Sequence, residues 1–302
     1  MINGIMNVYK EKGFTSHDVV AKLRGICRQK KIGHTGTLDP DAEGVLPVCL
    51  GNATKLCDML TDKSKEYEAE FLLGITTDTQ DISGTVLEEK EVEVTETKVR
   101  EVIASFIGAY DQIPPMYSAL KVNGKRLYEL AREGKEVERK ARRVEIHGIE
   151  VLDISLPYIK VRVACSKGTY IRTLGVDIGE KLGCGATMSK LLRTRVGNFK
   201  VADSLRLSDI EHLRDTEKLQ EHIVSVEDVF QNLRKGTVQE KFRKFIDNGN
   251  TILEIQLQEQ NEWKQDEEIR MYNNDSTFCG IYQYNQEEQR FKPVKMFPVH
   301  GE

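Results

Sequence analysis

The 302-residue sequence predicts an α+β protein, and three observations carry that prediction. Strand-like alternation and amphipathic helical stretches are interspersed without a regular strand–helix–strand rhythm, which disfavours a doubly wound parallel sheet. From about residue 237 the texture changes to short strand candidates separated by Gly, Asn and Gln turns. The composition, 39% hydrophobic and 30% charged, suits a soluble chain long enough for one large core and a small second domain.

Along the chain, "SHDVVAKLRGICRQK" (16–30) places apolar residues at 19, 20, 23, 26 and 27 and reads as an amphipathic helix with Ser16 as N-cap. "YEAEFLLG" (67–74) sets Tyr67, Ala69, Phe71 and Leu73 on one face against acids on the other, the period of a strand. "TKVREVIASFIG" (97–108) is expected to be a helix stopped by Gly108, and "KRLYELAREG" a short helix ending at Gly134. "YIKVRVAC" (158–165) is a strand with Ile159, Val161, Val163 and Cys165 inward, and "TLGVDIGEKLG" (173–183) a helix. The segment 203–233 reads as helical and acidic. "TILEIQL", "EEIRMYN", "FCGIYQY" and "RFKPVKMF" are the strands of a small β-domain. The expected division is 1–232 and 237–302.

The net charge of -4 hides a strong asymmetry. Residues 121–200 carry 18 Lys/Arg against 9 Asp/Glu, whereas 61–120 and 201–302 are acidic. A contiguous basic block that also holds Tyr128, His147 and Tyr170 points to a nucleic-acid partner rather than only a solvated face. No apolar run approaches the roughly 20 residues of a membrane helix, and the first residues do not read as a secretion signal. The six cysteines are scattered without a C-x-x-C pair, as expected for reduced thiols in a cytosolic chain without a zinc site.

"HTGTLDPDAEG" (34–44) is the chemically suggestive stretch. It is not a calcium loop: the twelfth position counted from Asp39 is Leu50, where a bidentate Glu is required. Nor is it a P-loop, because no G-x-x-x-x-G-K-[ST] string occurs. A second catalytic carboxylate could be Asp41 or Glu43, but Pro40 argues for a turn rather than a sugar-sized gap between two acids. Asp39 is left either as one carboxylate on a glycine-flanked loop, with Thr35 and Thr37 to tie it down, or as the capping residue of a structural turn.

Four blocks in order resemble the family of bacterial tRNA pseudouridine synthases that modify uridine 55 in the T-loop, the TruB family. They are "GHTGTLDPDAEGVLPVCLGNATK" (33–55), "KEYEAEFLLGITTDTQDISG" (65–84), "IPPMYSALKVNGKRLYELAREG" (113–134) and "CSKGTYIRTLGVDIGEKLGCGA" (165–186). The resemblance covers residues 3–200 closely and the remainder loosely. It implies a pseudouridine-synthase fold, with a mixed, mostly antiparallel sheet flanked by helices and loops, and a small PUA-like RNA-binding domain after it. It also implies an isomerisation without cofactor or metal on the T-stem-loop of tRNA, performed by a cytoplasmic monomer that needs no protein partner and no membrane.

By the same resemblance, Asp39 is the catalytic aspartate that attacks the sugar, and Arg172 is the cation that pairs with it. A nucleophilic carboxylate in a dry pocket needs such a partner to stay ionised. Tyr67 stacks on the base and takes part in proton removal from carbon. Tyr170 and Leu191 line the base pocket. His34 holds the T-loop open once the base has left the stack. Lys10, Lys121, Lys125, Arg126, Arg142 and Arg143 are expected on the RNA backbone, most of them in a basic insert at 113–143. One departure stands out: the family's Lys-Pro-x-Gly is here Lys10-Glu11-Lys12-Gly13, without the proline. The alternatives are a non-catalytic tRNA-folding factor, which Asp39, Tyr67 and Arg172 together argue against, and a synthase for other RNAs, which the compact basic insert disfavours.

Overall fold

The structure, a computed structural model, describes residues 1–297, so the last five residues of the expected second domain lie outside the described residues. It comprises two compact units. One is built from 7–48 and 56–218; the other from 1–6, 49–55 and the residues from Leu219 on.

In chain order the main elements up to residue 218 are β1 (Gly4–Lys10), α1 (Ser16–Ile26), β2 (Glu43–Leu50), β3 (Lys65–Leu73), α2 (Glu96–Ala104), β4 (Gly108–Gln112), α3 (Leu127–Arg132), β5 (Arg142–Ser155), β6 (Tyr158–Cys165), α4 (Ile171–Leu182), β7 (Ala186–Val196) and α5 (Leu207–Asp215). The strands form one nine-stranded sheet whose main path runs β1-β2-β7-β3-β6-β5-β4. β2 and β7 are parallel, while β7–β3, β3–β6, β6–β5 and β5–β4 are antiparallel. This is the mixed, mostly antiparallel α+β sheet that the sequence predicts.

The core lies where the alternation places it. Tyr67, Ala69, Phe71 and Leu73 of β3 and Ile159, Val161, Val163 and Cys165 of β6 are buried on one face of the sheet. α4 covers them through its small residues. A methyl group on Gly175 would stand 2.5 Å from the Phe71 ring, and one on Gly179 would stand 2.3 Å from the Ala186 nitrogen. Only glycine lets this helix lie so close to the sheet, and that closeness fixes the height of its first turn.

Several boundaries differ from the periodicity, each for a local reason. α1 is capped by Thr15, not Ser16: Thr15 and Asp18 form a reciprocal capping box, while Ser16 is turned into the core. The helix stops at Ile26, with Arg28 at a φ of 50°. α2 ends at Ala104, and Gly108 (φ 105°) opens the next strand instead of closing the helix. Only Leu207–Asp215 of the segment 203–233 is a long helix; Glu217, at a φ of 60°, ends it, and short 3-10 turns follow.

In the smaller unit, β8 (Arg234–Thr237), β9 (Ile252–Leu253), β10 (Glu268–Tyr272), β11 (Phe278–Asn285) and β12 (Arg290–Met296) form a five-stranded sheet in the order β8-β10-β11-β12-β9. β8, parallel to β10, escapes the pattern search because it is short and carries Gly236. "TILEIQL" yields only two strand residues. Gln256 turns its amide oxygen back to the Leu253 N–H, and the chain coils into a 3-10 turn. Trp263 and Phe291 pack edge to face at 5.2 Å in this unit's core. Among the described residues no helix is long and apolar enough to cross a membrane.

Candidate active site

The loop between α1 and β2 is held from several sides. Ser16 Oγ accepts the Leu38 N–H at 2.9 Å. Thr35 donates both its N–H and its hydroxyl to the Pro47 carbonyl. The Ala42 N–H closes a turn on Asp39 O at 3.1 Å, and the Gly13 N–H reaches Pro40 O at 2.9 Å. Lys10, fully buried, donates to the carbonyls of Glu11, Pro40 and Ala42, and burial pushes its ammonium down to about 8. Lys10, expected on the RNA backbone, is thus enclosed under the loop: it clamps the loop's carbonyls and has no open path to a phosphate. Glu11, which stands where the family's proline would, is held by Arg206 at 2.6 Å.

This clamped loop carries Asp39 to a pocket of about 310 Å³. Arg172, second residue of α4 and 5% exposed, grips the carboxylate with two teeth: Nε lies 3.0 Å from Oδ2, and Nη2 donates to Oδ1 at 3.3 Å. Its remaining N–H groups serve Thr79 O and Tyr117 O, both at 2.8 Å, and Asp81 at 3.9 Å. Four of the five guanidinium donors are therefore hydrogen-bonded, Asp81 adds a longer ion pair, and three separate loops meet on one cation. The Asp39 side chain keeps 40% of its surface open and lines the pocket. Burial accordingly raises its carboxyl above the usual aspartate range, Arg172 pulls it back down, and Asp81 pushes it up again.

Tyr67 lies on the central strand β3, buried, with its phenol against the guanidinium of Arg193. Burial raises the phenol and Arg193 opposes that shift. Tyr170, the N-cap of α4, and Leu191 of β7 line the same pocket. His34 is half-buried, is not among the residues lining the pocket, and accepts the Gly36 N–H on Nδ1 at 3.3 Å. Burial, His17 and Arg193 hold its imidazole below the usual histidine range, hence neutral at pH 7. The His17 ring stands edge-on to it at 5.6 Å.

Two residues of the site escape sequence reasoning. Arg193 is 1% exposed and donates to Val45 O at 2.7 Å, Gly36 O at 3.3 Å and Thr37 O at 3.5 Å, bracing the loop just before Asp39. Its inward direction results from the first of two β-bulges in β7, between Met188 and Lys190. Against β3 the buried series runs 186 and 188, skips at the first bulge to 191 and 193, and skips again to 196. A simple alternation from Ala186 would turn residue 193 to the opposite face; the first bulge re-aims both Leu191 and Arg193, and the second lies beyond Arg193. Asp81 is the other, a lone acid in a loop whose partner lies on a distant helix; only the acid-rich "DTQDISG" hints at it.

The basic segment contributes Ser118, Ala119 and Leu120 to the pocket lining. Lys121–Val122 and Lys125–Arg126 form a tight two-stranded ladder turned by Asn123-Gly124, at φ values of 52° and 84°. Lys121 is exposed there, and Lys125 stands 3.8 Å from Glu133. Arg126 donates to the Tyr128 hydroxyl at 2.8 Å. Arg142 is exposed at the start of β5, and Arg143 pairs loosely with Asp111 at 3.4 Å.

Two family descriptions match adjoining stretches of the chain: "TruB family pseudouridylate synthase (N terminal domain)" over residues 24–171, and "tRNA pseudouridylate synthase B C-terminal domain" over 172–231. The chain is 52% identical to the tRNA pseudouridine synthase B of Lachnoclostridium phytofermentans, covering 98% of this chain and all of that one. It is 46% identical to that of Clostridium tetani, over 98% of this chain and 99% of the relative. Among solved structures it is similar to one of a Cbf5-Nop10-Gar1 complex, with a TM-score of 0.75 and 28% identity over 98% of this chain and 85% of the other. It is also similar to one of an H/ACA RNP bound to a substrate RNA containing 2′-deoxyuridine, with a TM-score of 0.73 and 26% identity over 97% and 84%. With a fold, an ordered set of motifs and near-complete relatives in agreement, the chain belongs to the TruB family of pseudouridylate synthases.

Proposed function

We propose that the Asp39 pocket is where this pseudouridine synthase isomerises uridine 55 in the T-loop of tRNA. The observation that carries this reading is the two-toothed Asp39–Arg172 pair at the pocket wall, beside the Tyr67 phenol. The uridine leaves the T-loop stack at a cost of a few kcal/mol, and His34, a neutral ring, fills the place it vacates. Asp39 attacks the sugar at C1′ while the C1′–N1 bond breaks, its electron pair leaving on N1. The freed uracil turns over Tyr67, between Tyr170 and Leu191. Carbon C5 then displaces the carboxylate at C1′, and the proton lost from C5, relayed by the Tyr67 phenol, ends on N1. Reactant and product have the same atoms, so nothing is consumed. Arg172 holds Asp39 ionised and aimed until it attacks.

The segment 113–143 closes on the T-loop and meets its phosphates through Lys121, Lys125, Arg126, Arg142 and Arg143. Residues 1–232 act as the catalytic domain and those from 237 on as a small RNA-binding domain, in a cytoplasmic monomer that works without a protein partner.

The test is to incubate purified protein with an unmodified tRNA transcript, without cofactor, and to map pseudouridine by chemical probing. The wild-type chain modifies position 55. Asp39→Asn forms none, while its tRNA affinity stays within about tenfold, roughly 1.4 kcal/mol. Turnover by pure Asp39→Asn would overturn the assignment of the nucleophile.

A further inference from the structure

Gln112, the last residue of β4, is 1% exposed. Its amide oxygen accepts the Tyr170 N–H at 2.8 Å, and its amide nitrogen donates to the Tyr170 carbonyl at 3.0 Å. The other amide hydrogen goes to the Tyr110 hydroxyl on the same strand. One side chain thus pairs both backbone groups of one residue, as a neighbouring strand would. That residue is the N-cap of α4, and its own side chain caps nothing. Its carbonyl also receives the first helical N–H, from Leu174, at 3.0 Å. Two residues further on is Arg172.

The same glutamine stands at the root of the basic segment. β4 leads directly into residues 113–143, and Gln112 faces Arg142 across the ladder, where that segment returns to the sheet. The segment meets α4 a second time, where Arg172 donates to Tyr117 O. Buried, directional hydrogen bonds therefore join the root of the basic segment to the first turn of the helix that holds the Asp39 carboxylate.

We propose that Gln112 is a positioning residue for the isomerisation, its amide fixing the first turn of α4 so that Arg172 presents Asp39 to the sugar. The proposal rests on the roles of Asp39 and Arg172 given under the proposed function. Without the amide, a buried N–H at the helix start is left unpaired. The turn shifts to find a new partner and carries Arg172 with it. A displacement of about 1 Å at a reacting group can cost on the order of a hundredfold in rate.

The experiment compares Gln112→Met, which keeps the length and loses both hydrogen-bonding functions, with wild type in single-turnover assays on tRNA. The expected result is a rate lower by about 10–100-fold with tRNA affinity unchanged within threefold. A role confined to fold stability would lower the melting temperature without this split. The decisive step is to repeat the substitution in an Arg172→Lys background. If Gln112 acts through Arg172, the second loss is less than about threefold, because coupled residues are not additive. Should Gln112→Met fail to fold, Gln112→Glu, which keeps the acceptor for the Tyr170 N–H and loses the donors, is read by the same two ratios. A wild-type rate in the variant that folds, or an equal loss in both backgrounds, overturns the proposal. A wild-type protein that forms no pseudouridine overturns the underlying reading instead.

Discussion

At the scale of single residues, the site is a contest between burial and one cation. Burial raises the Asp39 carboxyl and Arg172 lowers it, with burial the larger of the two. The ionised carboxylate is the reactive form, so kcat/KM should fall as pH drops through a value above the roughly 3.9 of a free aspartate. The sign for stability is the reverse of that for a salt-bridged surface acid. The folded state binds this proton more tightly than the unfolded chain, so Asp39 lowers stability as pH rises through the window between the two values. Removing the cation leaves burial opposed only by the charge of Lys10. Arg172→Gln should therefore move the acid limb of the pH–rate profile upward by a pH unit or more, each unit being about 1.4 kcal/mol. A limb that stays in place would show that Arg172 aims the carboxylate without tuning it. Lys10 shows the same logic from the opposite sign: an ammonium with only carbonyl partners is pushed down to about 8, consistent with a clamp rather than a phosphate contact.

At the scale of elements, neighbouring hydroxyls divide the labour. Thr15 caps α1 and Ser16 anchors the catalytic loop through Leu38. Thr15→Ala should cost about 1 kcal/mol of stability, visible as a lower melting temperature, and leave the turnover of the folded enzyme unchanged. Ser16→Ala should be destabilising to a similar degree and in addition slow turnover, because the residue beside Asp39 loses its tie. Equal turnover in both variants would mean that the loop is held adequately by Lys10, Thr35 and Arg193. The glycine face of α4 and the first bulge of β7 belong to the same scale. One sets how close Arg172 comes to the sheet, the other which way Arg193 points.

At the scale of the whole molecule, charge segregation matters more than net charge. The acidic balance of the complete chain coexists with a block of 18 basic residues over 121–200. Affinity for tRNA should fall steeply with salt, because cations released from the phosphates drive association. Reversing the charges of Lys125, Arg126, Arg142 and Arg143 together should flatten the plot of log Kd against log salt by about 0.7–0.9 for each phosphate that is no longer neutralised. An unchanged slope would place the phosphate-binding side chains elsewhere on the surface.

The amino-acid sequence by itself determined the pieces whose cause is local. The period of two in 67–73 and 158–165 needed only one covered face of a sheet, and both strands are where that period puts them. Gly183, in the left-handed conformation, ends α4 where the pattern ends it. The motif order marked Asp39, Tyr67 and Arg172, and the folded chain brings all three to one pocket. Only the tertiary structure decided the rest. Arg172 meets Asp39 across 133 positions, Gln112 meets Tyr170 across 58, and Arg193 meets Gly36 across 157. No periodicity connects residues so far apart. Lys10 looks like any loop lysine until the chain folds over it, and Arg193 changes face because of one inserted residue whose effect depends on the strand opposite. Local hydrogen bonding and alternation act within a few residues and can be read from the string. The direction and burial of a charged side chain depend on what the fold packs around it.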